Sequence, residues 1–409
     1  SLVPAPLLVQ EQAGAFEPGD IVPTVVPDDD AIRASAEWLA ERIGRDSGFR
    51  LAVQTGEPSN TGIRLQQVEP AALGALFTGA GLEVPRFAEQ AYALDIGANG
   101  VLIRATGDAG LFYGMVSLWQ WLTGLTEGAD SWPAVHILDA PQFAWRGLML
   151  DSARHMQSVA FIKNYIDWMA LHKMSVFHWH LTDDQAWRLE IKSFPRLTQV
   201  GGFRVPAGDA PAADIDPATG APRLYGGYYS QQQIREVVAH ATSRHITVVP
   251  EIDVPGHATA AIAAYPELGV DDHGIDRVPA SWGIFHNVFN LEESTFQFLE
   301  TVLGEMVELF PGPYIHLGGD EVETGQWEHS KRVKQRMAEL GIDNLQSVQN
   351  YYVERLQAYL DRHGRRVVGW DEILQGDLPP HAVVMSWRGV EGAIEAAAKD
   401  HQAVLSPAP

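Results

Sequence analysis

No cysteine occurs in the 409 residues, which removes disulfides, thiolate nucleophiles and cysteine-ligated metals together. It leaves the redox compartment open, because a chain without thiols tolerates reducing and oxidising surroundings alike. Positive charge is scarce: 29 Lys and Arg stand against 52 Asp and Glu, a formal net charge of -23. A surface of that sign repels phosphate backbones and anionic headgroups, so neither nucleic acid nor a membrane is an expected partner. Long apolar runs are missing too, and none reaches the roughly 20 residues a spanning helix needs. What remains is 46% hydrophobic and 20% charged, the balance of a soluble globular protein. The chain opens at Ser1-Leu2-Val3-Pro4 rather than methionine. That opening suits removal of a leader, and export, secreted or periplasmic, is the expected location.

A chain of 409 residues has room for an α/β barrel of about 250 residues beside a smaller domain. The first part, residues 1–142, reads as α+β. Residues 30–43 have helical spacing, with Ile32, Ala36, Leu39 and Ile43 on one apolar face. Tyr92-Ala93-Leu94-Asp95-Ile96 alternates as a strand, Gly97-Ala98-Asn99-Gly100 supplies turn chemistry, and a partner strand follows. A helix is expected over 110–122. No reactive cluster marks this domain, so its expected role is support.

From residue 143 onward short apolar runs alternate with helical stretches, the rhythm of a parallel sheet. Candidate strands are 147–151, 174–181, 246–252, 288–291, 314–317, 366–370, 382–387 and 403–405. Eight such strands are what a closed (β/α)8 TIM barrel requires. Helices fit between them: 159–172 buries Ile162, Ile166 and Met169, and Ser230 with Gln233 forms a capping box. Residues 201–229, rich in Gly, Pro, Ala and Asp, read as a long rim loop.

Polar and aromatic residues cluster past the ends of these strands, where barrel enzymes build their sites. His316-Leu317-Gly318-Gly319-Asp320-Glu321 is the sharpest motif: a strand stops at two glycines and delivers two adjacent acids. Neighbouring carboxylates repel, so one of them keeps its proton to higher pH, and a proton donor beside an anion suits glycosidic cleavage. Glu251-Ile252-Asp253-Val254-Pro255-Gly256-His257 delivers Asp253 and His257 to the same rim. Arg146 opens the first barrel strand, with Asp151, Arg154 and His155 at its end, a pattern that taken alone is more often a structural ion-pair cluster than a site. His178-Trp179-His180 precedes Asp183-Asp184; metal ligation is one reading, and histidines hydrogen-bonded to carboxylates is the preferred one, because no three-ligand spacing is present. Trp370 and Trp387 sit at strand ends, either as packing or as flat walls for a sugar ring.

Taken as an ordered series, these motifs resemble glycoside hydrolase family 20 β-N-acetylhexosaminidases of the bacterial type. The resemblance runs from Arg146 to Pro407 and rests on 146–151, 178–184, 250–257, 316–321, 370–372 and 385–387. It implies a (β/α)8 barrel over 143–409 preceded by a non-catalytic α+β domain over 1–142. It also implies exo-acting hydrolysis of terminal β-linked N-acetylglucosamine or N-acetylgalactosamine from an amino-sugar-containing oligosaccharide or glycoconjugate. The sugar's own 2-acetamido oxygen is the nucleophile and an oxazolinium the intermediate; no cofactor and no metal are implied. Glu321 matches the general acid and base, and Asp320 the residue that orients the acetamido group. Arg146 matches the arginine that binds sugar hydroxyls, Asp183, Asp253 and His257 match supporting polar groups, and Trp370 and Trp387 match pocket walls. The family usually continues past the position of Pro409 with a Tyr- and Asp-bearing loop, a Trp, an acidic residue and a closing helix. The resemblance thus implies a chain that lacks the C-terminal end of its catalytic domain. Two other functions stay open: a carbohydrate-binding homologue without catalysis, and a retaining glycosidase with a protein carboxylate as nucleophile.

Overall fold

The computed structural model describes residues 2–407 apart from 57–60, 126–128, 208–214, 271–274, 276 and 377. Part of the expected rim loop, 208–214, lies outside the described residues. By Cα proximity the chain divides into two compact units: Ser1–Gly147 with Asn164–Ser175 and His240–Ile246, and the remainder. Among the described residues no helix is long and apolar enough to cross a membrane.

The first unit is a mixed seven-stranded sheet carrying three long helices. Its strands are β1 (Leu8–Phe16), β2 (Val22–Val26), β3 (Leu51–Thr55), β4 (Gly62–Gln67), β5 (Tyr92–Gly97), β6 (Gly100–Ala105) and β7 (Trp132–Asp139). They lie in the order β1-β7-β5-β6-β4-β2-β3. Helix α1 (Asp30–Ser47) starts where the Asp29 carboxylate accepts from the Ala31 and Ile32 amides, and stops at left-handed Gly48. Its residues Ile32, Ala36, Leu39 and Ile43 are all buried as their spacing predicts. The β5–β6 hairpin closes through Ala98-Asn99, with Gly97 paired to Gly100. At Gly100, φ is 133° and a Cβ would meet the Gly62 carbonyl at 2.1 Å, so only glycine lets β4 and β6 pair there. Successive strand residues face opposite sides of a sheet. Tyr92 turns its hydroxyl to Ser117 of α3 (Asp108–Thr123), whereas Ala93 joins Leu73 and Phe77 of α2 (Pro70–Gly79) in an apolar cluster. These two helices therefore cover opposite faces.

The second unit is built on a parallel sheet. Apart from two-residue ladders, its strands are β8 (Gly147–Asp151), β9 (Val176–His180), β10 (Thr247–Glu251), β11 (Tyr314–His316), β12 (Arg366–Trp370), β13 (Val383–Ser386) and β14 (Gln402–Leu405). They follow one another in sequence order from β8 to β14, the α/β-barrel arrangement, with helices such as Gln231–Thr242, Glu293–Leu309 and Leu345–Asp361 as crossovers. The first of these starts with the expected capping box: the Gln233 amide donates to Ser230 Oγ at 3.2 Å and the Ser230 amide to Gln233 Oε1 at 2.9 Å.

One expected strand is absent. Residues 288–291 make only an isolated bridge, Phe289 with Gly269, and seven strands rather than eight form the sheet among the described residues. The apolar run is buried for another reason. Asn290 donates to the Glu267 and Gly269 carbonyls and accepts from the Glu292 amide, pinning the segment ahead of the helix Glu293–Leu309. A short apolar run does not distinguish a strand from any other buried segment.

Register sets the site. His180 pairs with Glu251, and Glu251 with His316, so these three side chains share one level of the sheet. The residues immediately following them, at the carboxyl ends of β9, β10 and β11, form one polar cluster.

Candidate active site

Glycine makes the turn after β11 possible. Gly318 has φ 65°, and a Cβ there would lie 1.9 Å from Asp253 Oδ1. Gly319 then donates its amide to the same oxygen at 3.0 Å. The two glycines let the Asp253 carboxylate press against the chain just before the acidic pair. Glu321 itself has φ 47°, an uncommon conformation outside glycine that tends to mark functional turns.

Asp320 and Glu321 are both half-buried and share one imidazole. His257 Nε2 lies 3.5 Å from Asp320 Oδ2 and 3.7 Å from Glu321 Oε2. On its other side His257 Nδ1 lies 3.1 Å from Asp183 Oδ1 and 3.2 Å from Asp184 Oδ2. Burial pushes this imidazole down, but Asp253 and the hydrogen bonds to Asp183 and Asp184 outweigh it and hold the ring protonated. Asp183 also meets His180 Nε2 at 2.8 Å and an Arg154 nitrogen at 2.7 Å. Burial would raise Asp183; His180 and His257 overcome it and keep it well below the usual carboxylate range.

Glu321 goes the other way. Burial first, then the Asp320 charge, raise it above an ordinary glutamate, and His257 and Arg154 oppose them only in part. Asp253 is also pushed well up, by burial and then by Asp320. Burial and the neighbouring Asp320 charge thus favour a proton on Glu321, which is what acid catalysis needs.

A second layer lies beneath. Glu251, fully buried, has His178 Nε2 at 2.7 Å, His180 Nδ1 at 2.7 Å and His316 Nδ1 at 3.3 Å. Burial opposes its charge, and the three histidines together hold it ionised. Trp370 Nε1 donates to Glu251 Oε1, the oxygen that His316 also approaches, at 2.9 Å, while the Trp370 ring packs 4.8 Å from His316. The preferred reading of His178 and His180, histidines bonded to carboxylates, describes this layer. The groups His178–Glu251–His316 and Asp253–His257–Asp320 are close enough to ligate a cation; in the first, the hydrogen bond between His178 and Glu251 already accounts for the closeness of that pair.

The expected residues do not all converge. Asp183, Asp253, His257, Asp320 and Glu321 form one connected network, and Trp370 joins it through Glu251. Trp387 is half-buried past β13 and donates Nε1 to Glu372 Oε2 at 3.1 Å. Glu372 was not among the candidates, yet burial drives it up to about 7 against the Trp387 bond and Arg388, with Asp320 adding to the rise. Arg146 does not join this network. It lies at the amino end of β8, where its guanidinium donates to the Lys173 carbonyl at 2.7 Å and to Gln90 at 2.9 Å. Arg154, at the carboxyl end, is the arginine of the cluster: it pairs with Asp151 at 3.0 Å as well as with Asp183. Its signal was position, because barrel sites gather at the carboxyl ends of strands.

A family model described as "Glycosyl hydrolase family 20, catalytic domain" matches residues 143–409, and one described as domain 2 of that family matches residues 1–140. The chain belongs to glycosyl hydrolase family 20. A β-hexosaminidase of Porphyromonas gingivalis is 37% identical over 414 residues, covering 100% of this chain and 50% of the relative. A β-hexosaminidase of Vibrio furnissii is 36% identical over 79% of this chain and 52% of its own length. The chain therefore spans about half the length of these curated relatives. Among solved structures, a Flavobacterium johnsoniae chitobiase matches with TM-score 0.82 and 31% identity over 99% of this chain and 59% of that one. A family 20 exo-β-N-acetylglucosaminidase of Vibrio harveyi, solved in complex with N-acetylglucosamine, matches with TM-score 0.80 and 32% identity over 100% of this chain and 60% of that one. The α/β barrel preceded by a smaller α+β domain is thus the architecture this family 20 chain shares with solved members.

Proposed function

We propose that the protein hydrolyses terminal, non-reducing β-linked N-acetylglucosamine or N-acetylgalactosamine, using the substrate's 2-acetamido group as nucleophile. The observation that carries this reading is the shared imidazole of Asp320 and Glu321. Two acids reached by one nitrogen at 3.5 and 3.7 Å project from one turn on one side, and so suit poorly the two opposite faces of a sugar. Conventional glycosidases need carboxylates that flank the ring, whereas substrate-assisted ones need an acid and a group that steers the acetamide.

Glu321, with its raised pKa, gives its proton to the glycosidic oxygen as the C1–O bond breaks. The acetamido oxygen bonds to C1 and forms an oxazolinium. Asp320 accepts a hydrogen bond from the acetamido N–H, and its carboxylate stabilises the positive charge that develops there. Water then attacks C1 as the Glu321 carboxylate removes its proton, and the C1–O bond of the oxazolinium breaks to restore the acetamide, which returns the acid and gives net retention. His257, held by Asp183 and Asp184, fixes both acids, and Asp253 fixes the turn that bears them. Arg154, in place of Arg146, offers N–H groups to sugar hydroxyls. Trp387 walls the pocket, and Trp370 forms its floor above the Glu251 layer.

The test uses one sample of the full-length protein for two measurements: N-acetylglucosamine binding by calorimetry and release of that sugar from an aryl N-acetyl-β-glucosaminide. Binding accompanied by turnover is expected. Binding without turnover contradicts the hydrolytic reading and leaves a carbohydrate-binding protein.

A further inference from the structure

We propose that Trp282 is the platform of a second sugar subsite, which takes the pyranose on the reducing side of the bond being cut. This rests on the hydrolytic reading above and extends its substrate from a terminal sugar to a β-linked oligosaccharide. Trp282 is 80% exposed, the highest value for a large hydrophobic among the described residues. A lone exposed aromatic is ordinary on a surface, but this one is held in place. The Arg154 guanidinium carbon lies 5.0 Å from the centre of its ring, a cation–π geometry. Arg154 thus bridges Asp183, 2.7 Å from one of its nitrogens, and the indole ring.

The backbone beside the ring is fixed through the same arginine. Gln185, 3% exposed, donates Nε2 to the Ser281 carbonyl at 3.2 Å and accepts from Arg154 Nε on its Oε1 at 3.0 Å. At the other end of the segment, His286 Nδ1 lies 3.6 Å from Glu323 Oε2. The Val288 amide donates to Gln326 Oε1 at 3.3 Å. Glu323 and Gln326 lie two and five residues after Glu321. Residues 281–288 are therefore strung from the segment after β9 to the turn after β11, alongside the proposed catalytic cluster.

An exo-acting site admits the terminal sugar and leaves the next one projecting outward past its rim. A rigidly mounted indole with one face in water suits that sugar, because a pyranose with equatorial substituents presents a flat C–H face for stacking. Ile284, 48% exposed on the same segment, adds apolar surface.

The test compares kcat/KM for N,N′-diacetylchitobiose with that for methyl N-acetyl-β-glucosaminide, whose aglycone is too small to stack. The full-length protein and its Trp282→Ala and Trp282→Phe variants are measured on both. Trp282→Ala is expected to lower the ratio of the two constants by about tenfold, the size of one lost aromatic contact, through KM, with Trp282→Phe recovering most of the loss. An unchanged ratio, whether both constants hold or both fall together, overturns the subsite, since a joint fall means that Trp282 acts only by holding Arg154. If the unsubstituted protein hydrolyses neither substrate, the hydrolytic reading itself fails and the subsite with it.

Discussion

Glu321→Gln lowers kcat on an N-acetyl-β-glucosaminide by about 10²- to 10⁴-fold, the contribution of a positioned general acid and base, with an unchanged circular dichroism spectrum. The amide preserves the shape of the side chain at the φ 47° turn but can neither give nor take the proton. The loss is larger for a sugar or alkyl leaving group than for nitrophenolate, which departs with less protonation. In the proposed first step Glu321 works protonated, and burial and Asp320 raise its pKa. In the unsubstituted protein kcat/KM therefore falls as pH rises through that elevated value, and this alkaline limb is missing from the variant. A pH–rate profile with nitrophenyl and methyl glycosides reads both effects. Turnover equal to that of the parent would remove Glu321 from the reaction.

Asp320→Asn lowers kcat by about 10²- to 10³-fold, the cost of losing one preorganised electrostatic partner of the transition state. The variant keeps the size of the group and still approaches His257, so binding of N-acetylglucosamine changes less than kcat. Its second effect separates this account from simple misplacement of the turn. Asp320 raises Glu321 by charge repulsion; with that charge gone, the Glu321 pKa drops and the alkaline limb of kcat/KM moves to lower pH. A lowered kcat with the limb unmoved contradicts the electrostatic role.

Periodicity and turn chemistry carried much of the fold. The buried face of α1 and the Ser230–Gln233 capping box are local properties, set within a few residues and readable from spacing. The run 288–291 misled because its burial comes from Asn290 anchoring it to Glu267 and Gly269, partners about twenty residues away. In the candidate site the strand-end acids were legible because two glycines and a Pro-Gly turn announced them. Arg146 and Arg154 stand at opposite ends of β8, and only the carboxyl end faces the cluster, a distinction that residue type alone does not make. Glu251 stood within a strand run and its three histidines come from two other strands, so nothing local revealed that they meet. Trp282 lay in a stretch without periodicity, and its pairing with Arg154 is visible only in three dimensions.

The central claim is that the nucleophile belongs to the substrate, and one comparison tests it most directly: rates on 4-nitrophenyl N-acetyl-β-glucosaminide and on 4-nitrophenyl β-glucoside with the full-length protein. The two differ only at C2, where an acetamido group replaces a hydroxyl. An intramolecular nucleophile is worth a very large effective concentration, so the account predicts that the glucoside is slower by at least about 10³-fold. Comparable rates on the two substrates would contradict it and return the nucleophile to the protein.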